Sequence, residues 1–170
     1  MSFTIASFNV KNLIGADQEY YRFQSYTPEE YAWKVDWLAE QMQAMNADIV
    51  CFQEIFEESA LRDVIIEADR QGALGNDAHL PDASKRYRRK AIFNKLEYHP
   101  YTGADLAVAP NLNDTGAPGQ RRPGVAILSR FGFVYEPEVI QQLSEPVEID
   151  FGPMGATGGG SFKLTRLSRP

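Results

Sequence analysis

Residues 6–13, Ala-Ser-Phe-Asn-Val-Lys-Asn-Leu, and residues 50–56, Val-Cys-Phe-Gln-Glu-Ile-Phe, each carry polar side chains into an otherwise apolar run. Glu54 offers a carboxylate, a hard oxygen ligand suited to Mg²⁺ or Mn²⁺, and Asn9 an amide that can hold a phosphate oxygen or orient a neighbouring carboxylate. Taken singly, each has a plainer reading. Asn9 with Asn12 shapes the turn at the end of a strand, and Glu54 is a solvated strand terminus. Only if the chain brings the two together do they become half of a metal site.

The elements that would do so are legible between them. Phe3, Ile5, Phe8 and Val10 mark a first strand over residues 3–10, apolar enough to be covered on both faces. Thr27-Pro28-Glu29-Glu30 starts a helix, with Thr27 as cap, Pro28 in the first helical position and Glu30 completing a capping box. Tyr31, Val35, Leu38, Met42 and Met45 follow on one helical face as core contacts. A second apolar strand spans Ile49 to Ile55. A β–α–β unit of this kind winds right-handed and runs its strands parallel, so their carboxyl ends lie side by side, where ligands collect. Asn9 leaves one end, Gln53 and Glu54 the other.

Downstream, Leu61, Val64, Ile65 and Ala68 predict a second helix ending near Gly72, followed by a loop to about Tyr101. Strands are expected at 106–109, 124–128, 133–140, 147–151 and 162–167, with Gly-Pro-Met-Gly-Ala-Thr-Gly-Gly-Gly (152–160) as a connection lacking phosphate-loop spacing. The aromatic stretch Glu-Tyr-Tyr-Arg-Phe-Gln-Ser-Tyr (19–26) reads as local packing.

The composition fits one globular domain: 170 residues, 44% hydrophobic and 24% charged. No stretch is long and apolar enough to cross a membrane, and no secretory signal precedes the first strand. The one cysteine, Cys51, sits in an apolar strand as a small hydrophobe; it excludes an intramolecular disulfide and suits a reducing compartment, so a cytoplasmic location is expected. The net charge of −6 conceals residues 85–95, Lys-Arg-Tyr-Arg-Arg-Lys-Ala-Ile-Phe-Asn-Lys, with six basic side chains and no acidic one. That patch suits a phosphate-bearing partner and reads equally as a solvated loop.

Three segments in order, Ala-Ser-Phe-Asn-Val-Lys-Asn-Leu, Ala-Asp-Ile-Val-Cys-Phe-Gln-Glu-Ile-Phe and Arg-Arg-Pro-Gly-Val-Ala-Ile-Leu-Ser-Arg-Phe, resemble the signature segments of the endonuclease/exonuclease/phosphatase superfamily. The resemblance implies a deoxyribonuclease-like α/β fold, a four-layer α/β sandwich with a mixed sheet flanked by helices. It implies a metal-dependent phosphoesterase, a nuclease or phosphatase, with Glu54 as a ligand of Mg²⁺ (or Mn²⁺) and Asn9 in the same catalytic and metal site. The partner is then a phosphate-ester substrate, with nucleic acid among the candidates. The alternative is a catalytically inactive relative that binds phosphate or nucleic acid.

Departures from the family pattern carry their own expectations. Some relatives place an acidic residue two positions after the asparagine, where this chain has Lys11, which argues against the abasic-site endonuclease branch. Arg130 is expected to be an ordinary surface charge, and His79 and His99 to be surface histidines outside the family's histidine contexts. The family's later His-Leu strand, Asp-x-Asn pair and Asp-His pair are not identifiable. Residues 1–170 are therefore expected to be the N-terminal portion of a single such domain, apparently truncated. Without the second half, that portion should turn over substrate negligibly and expose an apolar face prone to self-association.

Overall fold

A computed structural model describes residues 2–77, 97–150 and 161–167. His79, the basic segment 85–95 and the glycine-rich segment 152–160 lie outside the described residues.

Strand β1 (Ile5–Leu13) leads through a loop to helix α1 (Pro28–Met45), then to β2 (Ile49–Ile55) and helix α2 (Glu58–Asp77). Beyond these come β3 (Asp105–Ala109), β4 (Gly124–Ser129), β5 (Gln142–Asp150) and β6 (Ser161–Arg166). The first four strands form one mixed sheet in the order β1-β2-β4-β3, and β5 and β6 form a separate two-stranded antiparallel sheet. β1 and β2 are parallel, as the crossover requires, whereas β4 runs antiparallel to both β2 and β3.

Local chemistry accounts for the start of α1. The Thr27 hydroxyl accepts from the Glu30 N–H, and the Glu30 carboxylate accepts from the Thr27 N–H at 2.9 Å, the reciprocal capping box. Asn46 closes the helix in the left-handed region at φ 41°, a conformation asparagine tolerates. α2 runs past the expected stop at Gly72, which is interior to it. A Cβ at Gly72 would lie 2.1 Å from the Tyr98 ring, so the glycine is there to let the 97–101 segment pack against the helix.

Both helices lie on one face of the sheet. Leu38, Ala39 and Met42 of α1 and Leu61, Val64 and Ala68 of α2 bury themselves with Val10, Val50, Phe52, Ala126 and Leu128 in a single core cluster. The other face corrects the expectation that the first strand is covered twice. Exposure alternates along β1, and Ile5 and Ile127 remain 62% and 43% exposed. Cys51 is half-buried and free.

The expected strand at 133–140 is also corrected: these residues form no strand. Pro137 lacks the N–H a ladder needs, and glutamates flank it. The segment instead runs past β3 and β4, bounding a groove of about 700 Å³. The following strand begins only after Gln141, a buried glutamine. Its side chain accepts from the Leu112 N–H at 2.6 Å and donates to Asn111 Oδ1 at 2.8 Å and to the Leu167 carbonyl at 3.1 Å, tying the β5–β6 hairpin to the loop after β3.

Candidate active site

The carboxyl ends of β1 and β2 lie side by side, and there both strands depart from regular geometry. In the β1–β2 register Asn9 pairs with Gln53 and the next pair is Leu13 with Ile55, so Val10, Lys11 and Asn12 stand opposite Glu54 alone. On the other side Gln53 pairs with Val125 and Ile55 with Gly124, so Glu54 has no counterpart on β4. Glu54 is thus bulged out of the sheet on both sides. Its backbone is left-handed at φ 66°, and Lys11 and Asn12 are left-handed too, at 53° and 60°. Lys11 and Glu54, each costing on the order of 1–2 kcal/mol in that region, with Asn12, a residue type that tolerates it, form a concentration of strain that the surroundings must hold in place.

The strain has a geometric product. Asn9 Nδ2 donates to Glu54 Oε1 at 3.0 Å, and the Asn12 N–H donates to Glu54 Oε2 at 3.2 Å. Asn9 Oδ1 accepts from the Lys11 N–H at 2.8 Å, which fixes the orientation of the amide: reversed, it would set donor against donor. Asn9 and Glu54, the two residues singled out in the sequence, therefore touch. Each carboxylate oxygen accepts one N–H and keeps lone-pair capacity, and the half-buried side chain remains reachable.

β4 brings its amino end to the same edge, and with it the Arg-Arg-Pro-Gly segment. Arg121 is largely buried and spans Asp114 at 3.2 Å, Glu57 at 3.4 Å and the Phe56 carbonyl at 3.4 Å. Glu57 in turn accepts from the Gly15 N–H at 3.0 Å. Arg121 thus ties the loops flanking the site to one another. Gly124 is required at the first position of β4, since a Cβ there would lie 2.2 Å from the Ala109 carbonyl oxygen.

Beneath the bulge lies a group that sequence reasoning missed. Lys34 Nζ donates to the Lys11 carbonyl at 2.6 Å and to the Tyr26 hydroxyl at 3.0 Å, and Tyr26 donates to the same carbonyl at 3.3 Å. Burial first, then the charge of Lys11, pushes the Lys34 ammonium down to about 8, while Glu54 opposes the shift. Tyr26 is pushed well up, chiefly by burial. The only signal in the sequence was one lysine on the polar side of a helix. Tyr20, Tyr21, Tyr26 and Phe56 pack ring against ring beside it, as local packing predicts, whereas Phe23 is 94% exposed.

Arg130 lies at the opposite end of the sheet, and the expectation of a free surface charge is corrected. Its side chain is largely buried, donates to the Asn46 carbonyl at 3.1 Å, to Asn46 Oδ1 at 2.9 Å and to the His99 carbonyl, and stacks over the Tyr101 ring at 4.1 Å. A residue closing a strand is indistinguishable in sequence from one that staples two loops. His99 is exposed, as expected, and shares this far end, away from Glu54.

Among the described residues no three His, Cys, Asp or Glu side chains cluster as a ready-made metal cage, and no helix is long and apolar enough to cross a membrane. No curated protein matches the chain. No solved structure matches it either. The profile of the endonuclease/exonuclease/phosphatase family matches residues 6–166, nearly the whole length and spanning all three motif segments. The match and the mixed α/β architecture agree, and the chain belongs to the endonuclease/exonuclease/phosphatase family, a superfamily of nuclease- and phosphatase-type phosphoesterases.

Proposed function

We propose that the chain carries the metal-binding edge of a phosphoesterase that hydrolyses a phosphodiester or phosphomonoester, with Glu54 as ligand to Mg²⁺ or Mn²⁺ and Asn9 as the residue that orients it. The observation that carries this reading is the 3.0 Å hydrogen bond between Asn9 and Glu54 at adjacent parallel strand ends. The donor set fits a hard cation that keeps most of its water: one accessible carboxylate with free lone pairs suffices, because Mg²⁺ sites commonly use one or two carboxylates and complete the shell with water and substrate oxygens. Such an ion, when bound, polarises the phosphoryl oxygen and stabilises the leaving oxyanion.

The chain's own residues do the positioning. Asn9 and the Asn12 N–H fix the rotation of the carboxylate from its two sides, and neither adds an anion that would compete with substrate phosphate. Lys11 is exposed on the bulge, a cation at the edge a phosphate would approach. Arg121 is engaged by two carboxylates and serves the loops. The open apolar face of the sheet supports the four-layer sandwich of the family, in which a second sheet would cover Ile5 and Ile127.

Paramagnetic broadening of amide resonances by Mn²⁺ tests the site. Broadening should centre on residues 9–12 and 54, weaken about tenfold in affinity in Asn9→Ala and vanish in Glu54→Gln. Broadening unchanged in Glu54→Gln overturns the assignment. Mg²⁺-dependent hydrolysis of bis(p-nitrophenyl) phosphate by residues 1–170, followed in parallel, should be negligible, and any residual turnover should be lost in Glu54→Gln.

A further inference from the structure

The left-handed pair Lys11–Asn12 needs an explanation that its own side chains do not supply. The Lys11 side chain is exposed, and neither residue is a glycine. Left to itself, such a pair would relax toward regular strand, and the Asn12 N–H would turn away from Glu54. Beside the Asn9 Oδ1 contact on the Lys11 N–H at 2.8 Å, what opposes relaxation is the contact on the Lys11 carbonyl. That oxygen accepts from Lys34 Nζ at 2.6 Å and from the Tyr26 hydroxyl at 3.3 Å, while Lys34 and Tyr26 are joined at 3.0 Å. The ammonium also lies 4.7 Å from the centre of the Tyr26 ring. Tyr26 itself is held by stacking on Tyr20. The Lys11 carbonyl and the Asn12 N–H belong to one planar peptide unit, so gripping the oxygen aims the hydrogen.

We propose that Lys34, together with Tyr26, is a positioning residue of the site: it clamps the Lys11–Asn12 peptide so that the Asn12 N–H stays on Glu54 Oε2 and the carboxylate is presented in one rotation. A lysine suits the task because its three N–H groups serve the carbonyl and the hydroxyl at once and its charge balances Glu54 through the bulge. Its burial is consistent with a donor committed to these partners rather than to water. The consequence for metal affinity rests on Glu54 being the ligand; the clamp itself does not.

Two readouts separate those parts. In metal-free protein the Asn12 amide proton, bonded to a carboxylate, should resonate downfield and exchange slowly; Lys34→Met should move it upfield and speed its exchange at least tenfold, leaving the amides of α2 unmoved. Tyr26→Phe should do the same to a smaller degree, and Lys34→Arg, which keeps a charged donor, should restore most of the wild-type signal. Mn²⁺ affinity should follow the same order, falling about tenfold in Lys34→Met. An Asn12 amide unmoved in a folded Lys34→Met protein overturns the clamp. An amide that moves while Mn²⁺ broadening ignores Glu54→Gln upholds the clamp and overturns the metal assignment.

Discussion

The two ends of the four-stranded sheet are built on opposite principles. At the carboxyl ends of β1 and β2 the backbone is left-handed at Lys11, Asn12 and Glu54, strands slip register, and a half-buried carboxylate keeps unused acceptor capacity. At the other end Asp69 accepts from the Tyr98 hydroxyl, the Tyr101 N–H and the Thr102 hydroxyl, and Arg130 is shared among Asn46, His99 and the Tyr101 ring. The left-handed non-glycine residue there, Asn46, is a helix cap and needs no other reason. The far end commits most of its polar groups to structure, although the buried Arg130 Nε has no hydrogen-bond partner, whereas the other end keeps an accessible carboxylate in reserve. Strain combined with unspent hydrogen-bonding capacity marks where chemistry is to be sought.

The contrast breaks most visibly at Arg130. Arg130→Ala removes the guanidinium donor from the Asn46 and His99 carbonyls, leaves Asn46 Oδ1 with the His99 N–H at 3.2 Å, and uncovers Tyr101, so a loss of about 3 kcal/mol and a melting temperature lower by roughly 10 °C are expected. Glu54→Gln should change stability by under about 1 kcal/mol in the same calorimetric comparison. Equal losses at the two ends would dissolve the distinction.

Asp48 sharpens it through pH. Its Oδ2 accepts from the Thr4 N–H at 2.8 Å and the Thr4 hydroxyl at 3.0 Å. The Thr4 N–H, ahead of burial's opposing effect, holds this carboxyl below the usual range. A lowered carboxyl binds its proton more weakly in the folded state. Its contribution is therefore fully present above the unfolded value of about 4 and is lost as pH falls through the folded one. Denaturant titrations of Asp48→Asn should show a deficit of about 1 kcal/mol at pH 7 that shrinks below pH ~4.

The smallest effect runs the other way. Lys11→Gly relieves a left-handed side chain but loosens the unfolded chain, for a net gain of about 0.5 kcal/mol by the same titration. A destabilised variant would mean that the Lys11 side chain supports the bulge directly.

The β–α–β unit and the Asn9–Glu54 meeting were legible because a capping box, one apolar helical face and two apolar runs all point to the same parallel pair. β2 falls on Ile49–Ile55, as its composition predicts. The bulge was not legible, since left-handed Lys, Asn and Glu carry no glycine signature. The clamp escaped because it joins a helix to a strand end through a backbone carbonyl, which has no letter in the sequence. Residues 133–140 looked like a strand from their apolar content, but among the described residues they pair with no neighbouring strand. β1 looked doubly covered for a similar reason: composition reports that a side chain is apolar, not whether something lies over it.

Gln141 has a consequence for the timing of motion. One buried amide holds the Leu112 N–H, Asn111 and the Leu167 carbonyl, and the Gln141 carbonyl accepts the Leu167 N–H at 2.8 Å. Opening the β5–β6 hairpin would strand those polar atoms together, so the loop after β3 and the end of β6 breathe as one cooperative unit. That loop continues to Arg121, which touches the Phe56 carbonyl two residues beyond Glu54. A continuous chain of contacts thus joins residue 167, through a glutamine and an arginine, to the rim of the bulge.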